Sequence, residues 1–195
     1  MVYLIGILIF LCFLIYVFEI RKVKFNIKMI ILISVFSALG YILNLIKFIN
    51  MPQGGSITLL SMLPVMLISL KYGKGIGLTA GILLGFMKML DGVTFLHPIQ
   101  FILDYILANM VLGFSGMFGY KKRTNIFLGC FISGFISVMC NVLSGVVFFS
   151  QYAPQGMNVW LYSIIYNFSS LGVEALLTSI AVTFIPINRI FMEKN

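Results

Sequence analysis

Residues 1–18, MVYLIGILIFLCFLIYVF, form an apolar run without one charged side chain. A run of this length predicts a membrane-spanning helix, because about 20 helical residues cross the hydrocarbon core of a bilayer. It lacks the basic start and small-residue cleavage site of a secretory signal peptide. A retained helix is therefore expected, with a signal anchor of another kind as the alternative. Further apolar stretches lie at about 29–48, 57–70, 75–90, 98–118, 126–149 and 159–187. Between them come breaks. The sharpest is Asn50-Met51-Pro52-Gln53-Gly54-Gly55-Ser56, where a proline and paired glycines stop a helix. Asp91-Gly92-Val93-Thr94 and Ser150 to Asn158 (SQYAPQGMN) are two more. The pattern predicts an all-α integral membrane protein of seven spans, the third short for a full crossing.

Composition supports this class. The 195 residues are 61% hydrophobic and 9% charged, whereas a soluble domain is about 25% charged. No separate soluble domain fits. The net charge of +8 is better read by its placement than by its sum. Eleven of the thirteen Lys and Arg fall in loops on one side of the layout: Arg21, Lys22, Lys24, Lys28, Lys71, Lys74, Lys121, Lys122, Arg123, Arg189 and Lys194. The positive-inside rule makes that side cytoplasmic. The expected orientation in the cell membrane is N-terminus outside and C-terminus inside. Only Lys47 and Lys88 depart from the pattern. No internal repeat is visible, so an inverted-repeat carrier gains no support. Cys12, Cys130 and Cys140 all sit inside apolar runs and read as buried free thiols, not as a disulfide or metal set.

With this topology the polar clusters gather at the outer face. Gln100, Asp104, Tyr105, Asn141, Gln151, Tyr152, Trp160, Tyr162 and Asn167 all approach it. An acid entering an apolar helix costs roughly 2.5 to 3.5 kcal/mol near the bilayer centre, so Asp104 calls for a ligand, a partner or a wet cavity. A cationic small molecule answers that need. A structural ion pair with Lys88 is the competing reading, and Glu174 carries the same ambiguity. Tyr152 and Trp160 equally suit an interfacial aromatic belt, and Asn141 a helix–helix hydrogen bond. Ser34 and Ala38 form a small-xxx-small pair on one helix face; by spacing alone, packing within the same chain is favoured. The glycines Gly75, Gly77, Gly81 and Gly85 read as packing residues.

Enzyme chemistry has little foothold. The single histidine, His97, precedes Pro98 and has no second ligand in metal spacing; it reads as a helix start. Paired carboxylates, a nucleophile elbow and a phosphate-cradling loop are all missing from the sequence. The chain carries no ATP-hydrolysing motif, and no cofactor is expected.

The segment Met51-Pro52-Gln53-Gly54-Gly55-Ser56, with Pro64 after it, resembles the first outer loop and second helix of the S components of energy-coupling factor (ECF) vitamin transporters. His97-Pro98-Ile99-Gln100, Asp104-Tyr105 and Leu107-Ala108 are similar to the signature of the thiamine-specific members, as are Ser150-Gln151-Tyr152-Ala153, Tyr162 and Asn167. The resemblance spans about residues 25–187. It implies a six-helix substrate-binding domain over residues 25–190, preceded by an added transmembrane helix at 1–22.

The resemblance also implies a site. Asp104 would hydrogen-bond the aminopyrimidine of thiamine beside Tyr105, and Phe149 would stack on the ligand. Tyr162 and Asn167 would be polar pocket residues, and Gly145 would give the ligand room. Phe95 aligns near a pocket tyrosine across a one-residue gap. Asn141 stands where a well-known member has histidine; an amide donates and accepts hydrogen bonds but does not titrate near neutral pH. Ser34 and Ala38 match the motif by which S components dock on the transmembrane coupling subunit, which works with two ATPase subunits. The implied function is capture of thiamine outside and its delivery inward by reorientation on those partners. An S component for another planar vitamin or thiamine precursor, or a small membrane protein without a transport role, are the alternatives.

Overall fold

The computed structural model describes residues 1–52 and 55–187. In chain order it begins with α1 (Val2–Ile20) and α2 (Ile27–Leu45). A β-hairpin follows, β1 (Lys47–Asn50) and β2 (Ser56–Thr58). Then come α3 (Leu63–Tyr72), α4 (Lys74–Lys88), α5 (Pro98–Phe118), α6 (Arg123–Phe148) and α7 (Val159–Phe184). Among the described residues five of these helices, α1, α2, α5, α6 and α7, are long and apolar enough to cross a membrane. The chain is an all-α membrane protein of several spans, and among the described residues the hairpin is the one β element.

Local chemistry sets the helix starts. Asn26 caps α2 by accepting the Met29 N–H at 2.8 Å, and Asn158 caps α7 by accepting the Trp160 N–H at 2.8 Å. His97 Nδ1 accepts the Ile99 N–H at 3.1 Å, with Pro98 in the first helical position. These caps supply acceptors to N–H groups that have no partner inside the helix.

The hairpin corrects the sequence reading. The second apolar run was expected to be helical to 48 and the third from 57. Instead α2 stops at Leu45 and α3 starts at Leu63. The residues between pair antiparallel, Lys47 with Thr58, Ile49 with Ile57 and Asn50 with Ser56. A short apolar run does not by itself distinguish strand from helix. Pro64 favours a helix start here. The ten-residue α3 is about 15 Å long, half a hydrocarbon core. Its residues Pro64 to Leu70 are all buried, so it is an interior helix that folds back into α4 through Gly73 at φ +91°.

Two apolar clusters hold the bundle. One joins α2, α3, α4, α6 and α7 around Met66, Ile68 and Leu84. The other joins α1 and α4 to α5 and α6 around Leu78, Leu103 and Leu107. Lipid tails are as apolar as these side chains, so close backbone approach and interhelical hydrogen bonds carry the specificity. A Cβ on Gly81 would strike the Asn109 carbonyl, and one on Gly85 the Tyr105 carbonyl. These glycines pack α4 directly onto the α5 backbone. In α2 the buried small residues are Ser37 and Gly40; Ser37 Oγ donates to the Ala80 carbonyl at 3.0 Å. Ser34 is exposed instead, bonded to its own helix at Ile30 O, and Ala38 is half-buried.

Four basic side chains at the end away from the hairpin are engaged locally. Glu19 bonds Lys74 at 3.0 Å and Lys22 at 3.2 Å. Lys71 lies over the Tyr120 ring and Arg123 over Phe184. Arg189 and Lys194 lie outside the described residues, as does the end of the 25–190 domain.

Glu174 resolves its own ambiguity. It is 1% exposed, and its carboxylate accepts four hydrogen bonds from the end of β2 and the turn after it. Thr58 N–H and Oγ1 reach one oxygen at 3.2 and 2.8 Å; Ser61 N–H and Oγ reach the other, both at 2.8 Å. Between them Leu60 sits at φ +54°, a left-handed conformation costly for a branched side chain. The carboxylate thus fastens a strained turn to α7.

Removing this carboxylate strands four donors. Glu174→Ala is expected to destabilise the protein by about 3 kcal/mol, read as a clear fall in thermal midpoint in detergent. An unchanged midpoint would contradict the clasp. Gly81→Leu is expected to lower the midpoint as well by forcing α4 from α5, and a wild-type melt would refute the close-packing account.

Candidate functional site

A cavity of about 620 Å³ opens among the hairpin, α4, α5, α6 and α7. Its lining is mixed, with carboxylates, lysines, amides, hydroxyls and aromatic rings. Two π-helical turns border it. One is Ile102–Leu107 in α5, which carries Asp104 and Tyr105; the other is Phe168–Gly172 in α7, which follows Asn167 directly. A π turn inserts one extra residue and shifts side chains around the helix axis, and such turns cluster at functional sites. The displaced carbonyls are met by side chains. Asn109 Nδ2 donates to Tyr105 O at 2.8 Å, and the hydroxyls of Ser169 and Ser170 donate to Tyr166 O at 3.0 Å each.

Asp104 faces the cavity and accepts Gln100 Nε2 at 2.7 Å. Gln100 is 1% exposed and fully used: Nε2 also reaches Thr94 O at 3.2 Å, and Oε1 accepts the Leu96 N–H at 3.1 Å. Tyr105 Oη accepts the Thr94 N–H at 2.9 Å. The acid, the glutamine and the tyrosine therefore pin the loop before α5 to the wall of the cavity. Lys88 also lines the cavity, but it donates to Ser61 Oγ at 3.3 Å. Among the described residues Asp104 is in no ion pair, while Lys47 bonds Asp91 at 2.5 Å across the hairpin end.

Asn141 lines the cavity from α6, and its Nδ2 donates to Ser137 O in the same helix at 3.0 Å. The recorded bond is thus not helix to helix. Asn167 bonds Ser163 O at 2.9 Å and Ser163 Oγ at 3.3 Å from within α7. Gly145 also lines the cavity; a Cβ there would strike Ser163 Oγ, so it lets α6 and α7 meet beside the opening. The Phe149 and Tyr152 rings stack at 6.2 Å, and the Tyr162 and Tyr166 rings sit 6.0 Å apart. All four line the cavity. Tyr166 Oη donates to Pro52 O and accepts the Gly55 N–H at 2.9 Å, tying the hairpin tip to α7.

Asp104, Tyr105, Asn141, Gly145, Phe149, Tyr162 and Asn167 come together here. Phe95 does not: it is 60% exposed and lies against Phe101, its ring centroid 5.6 Å away. The loop before α5 turns it outward while Thr94 and Leu96 on either side are held by Tyr105 and Gln100. Of the two aromatic belt candidates, Tyr152 joins the lining and Trp160 stays outside it. Sequence reasoning passed over Tyr166, Asn109 and the clasping role of Glu174. Tyr166 had a signal, standing four residues after Tyr162 on the same helix face. Among the described residues no three His, Cys, Asp or Glu side chains gather in a metal-binding group. What this lining suits is a planar polar cation: a carboxylate for charge-assisted hydrogen bonding, amides for ring edges, and aromatic faces for stacking.

Known proteins share this chain's sequence and fold. The "Thiamine transporter ThiT" of Bacillus subtilis (strain 168) is 37% identical over 150 residues, covering 69% of this chain and 78% of that protein. The protein of the same name from Lacticaseibacillus paracasei is 28% identical over 137 residues, covering 62% and 68%. A solved structure of ThiT from Listeria monocytogenes superposes with a TM-score of 0.70 at 28% identity, covering 80% of this chain and 91% of that one. The model of the thiamine transporter protein family (Thia_YuaJ) matches residues 30–193, and the chain belongs to that family.

Proposed function

We propose that this protein is the thiamine-binding S component of an ECF-type importer, and that the cavity between the hairpin and α4–α7 is its binding site. One observation carries the reading: in a chain of the thiamine transporter family, Asp104, Tyr105, Asn141, Gly145, Phe149, Tyr162 and Asn167 line a single cavity. In this reading α2–α7 form the six-helix binding domain and α1 is an addition. The hairpin end faces outward, so the basic end lies in the cytoplasm. Residues 1–22 and 25–190 are then the two parts of the chain.

Thiamine carries a fixed positive charge on its thiazolium and a planar aminopyrimidine. Asp104 accepts the amino group and contributes negative charge, and Asn141, Tyr162 and Asn167 complete the polar edge. Phe149, stacked on Tyr152, offers the face for the cationic ring. A partly enclosed site strengthens each of these interactions relative to water. Phe95 has no place in this contact set.

ATP-driven transport requires partners, since the chain carries neither a nucleotide-binding motif nor the internal repeats of a self-sufficient carrier. Ser34, exposed on α2, and Ala38 one turn later form a small-residue stripe through which the coupling subunit docks. Two ATPase subunits would drive reorientation and release inside.

Replacing Asp104 by Asn removes the charge with little change of shape. Thiamine affinity of the purified protein, measured by calorimetry, is expected to fall on the order of a hundredfold. Wild-type affinity in Asp104→Asn, or no thiamine binding by the folded wild type, refutes the assignment. Ser34→Leu with Ala38→Leu is expected to abolish uptake by cells holding the partner subunits while leaving affinity unchanged. Persistent uptake would remove these residues from the docking surface.

A further inference from the structure

α1 lies outside the residues matched by the family model, which begin at 30, yet it is not loosely attached. Near the basic end, Tyr16 Oη and Thr79 Oγ1 are 3.3 Å apart, and Glu19 bonds Lys74 at 3.0 Å. A Cβ on Gly75 would strike Val23, just beyond α1. These contacts fasten that end of the helix to α4.

Its other end does something different. Of the nineteen residues of α1, the two that are buried are Ile5 and Ile9, one turn apart. They belong to the cluster that contains Leu103 and Leu107, both fully buried in α5. A Cβ on Gly6 would stand 3.8 Å from Ile99 at the start of α5, an ordinary contact distance. Leu103 and Leu107 bound the π turn on its closed side; Asp104 and Tyr105 occupy its cavity side. The most deeply buried part of α1 therefore lies behind the two residues assigned to the ligand.

A π turn is held in place by its surroundings. It contains one residue more than the α-helical path, so relaxing it would turn the side chains on one side of it by on the order of 100° relative to the other. On the cavity side the turn is held by Gln100, Thr94 and Asn109. On the other side Leu103 and Leu107 pack in one cluster with Leu78 of α4, Cys140 of α6 and, from α1, Ile5 and Ile9.

We propose that α1 is a positioning element for the binding site, in which Ile5 and Ile9 back the π turn of α5 and hold Asp104 and Tyr105 at the angle that receives the cationic ligand. This rests on the reading of the cavity as the thiamine site. A helix that served only as an anchor would not need its buried residues at this level.

The test uses the full chain in detergent with thiamine as the probe, read by calorimetry. Ile5→Ala with Ile9→Ala is expected to raise the dissociation constant about tenfold, with helix content and elution as in the wild type. Ile5→Leu with Ile9→Leu, which keeps the bulk, is expected to restore most of the affinity. Tyr16→Phe, which loosens α1 at its other end, is expected to lower thermal stability and leave affinity unchanged. If the alanine pair does not fold, Ile5→Val with Ile9→Val takes its place, and a rise of about threefold is expected for the smaller loss of packing. Wild-type affinity in the folded alanine or valine pair overturns the proposal alone. So does an equal loss of affinity in Tyr16→Phe, which would make the effect one of general stability. A folded wild type that does not bind thiamine overturns the site assignment, and this proposal with it.

Discussion

Backbone carbonyls and N–H groups inside a bilayer have no water to turn to, and this constraint organises the protein. Each departure from regular helix must be paired internally. The cavity nevertheless is built on departures, because a regular helix presents its side chains at fixed angles. Two π turns provide them. Asn109 serves the Tyr105 carbonyl, while Ser169 and Ser170 serve that of Tyr166. The hairpin is paired along its own strands, and the turn that follows is held by the carboxylate of Glu174. Both π turns and the turn after the hairpin border the cavity, and polar side chains from inside the bundle satisfy their backbone.

The same economy of polar groups links the site to its surroundings. Gln100 touches Asp104 and the Thr94–Leu96 backbone at once, so the acid and the loop share one amide. Tyr166 joins the ring lining to the hairpin tip. A ligand that draws on Asp104 or on the Tyr162–Tyr166 pair therefore acts on groups that also hold the adjacent loops. The basic residues lie mostly at the far end, where Lys74, Lys22, Lys71 and Arg123 meet a carboxylate or an aromatic ring. The two lysines near the cavity are engaged as well, Lys47 with Asp91 and Lys88 with Ser61.

Much of this was written in the sequence, and the remainder has identifiable causes. The long apolar runs located five helices to within a few residues, because length and hydropathy determine what can span a bilayer. His97-Pro98 marked the start of α5 through the cap and the fixed φ of proline. The hairpin was hidden, since Phe48, Ile49 and Ile57 suit a strand as well as a helix end. Glu174 was visible as an anomaly, but its role was not: its four donors lie more than a hundred positions earlier, on a segment whose conformation the sequence did not reveal. The π turns left no periodic signal over so few residues. Phe95 was placed by alignment across a gap, and loops near gaps are where side-chain direction is least constrained; here the chain turns it outward. Ser34 and Ala38 show the opposite case. Spacing favoured packing within the chain, whereas Ser34 lies exposed and the neighbouring Ser37 and Gly40 do the packing.

In the proposed function one cavity, built on two π turns and bordered by a fastened hairpin, receives thiamine. The most direct measurement is an experimental structure of the protein with thiamine bound. The ligand is expected inside the cavity, its amino group on the Asp104 carboxylate and a ring over Phe149, with α5 still π-helical at Ile102–Leu107. Thiamine bound elsewhere, or lying in the cavity without touching Asp104, would contradict it.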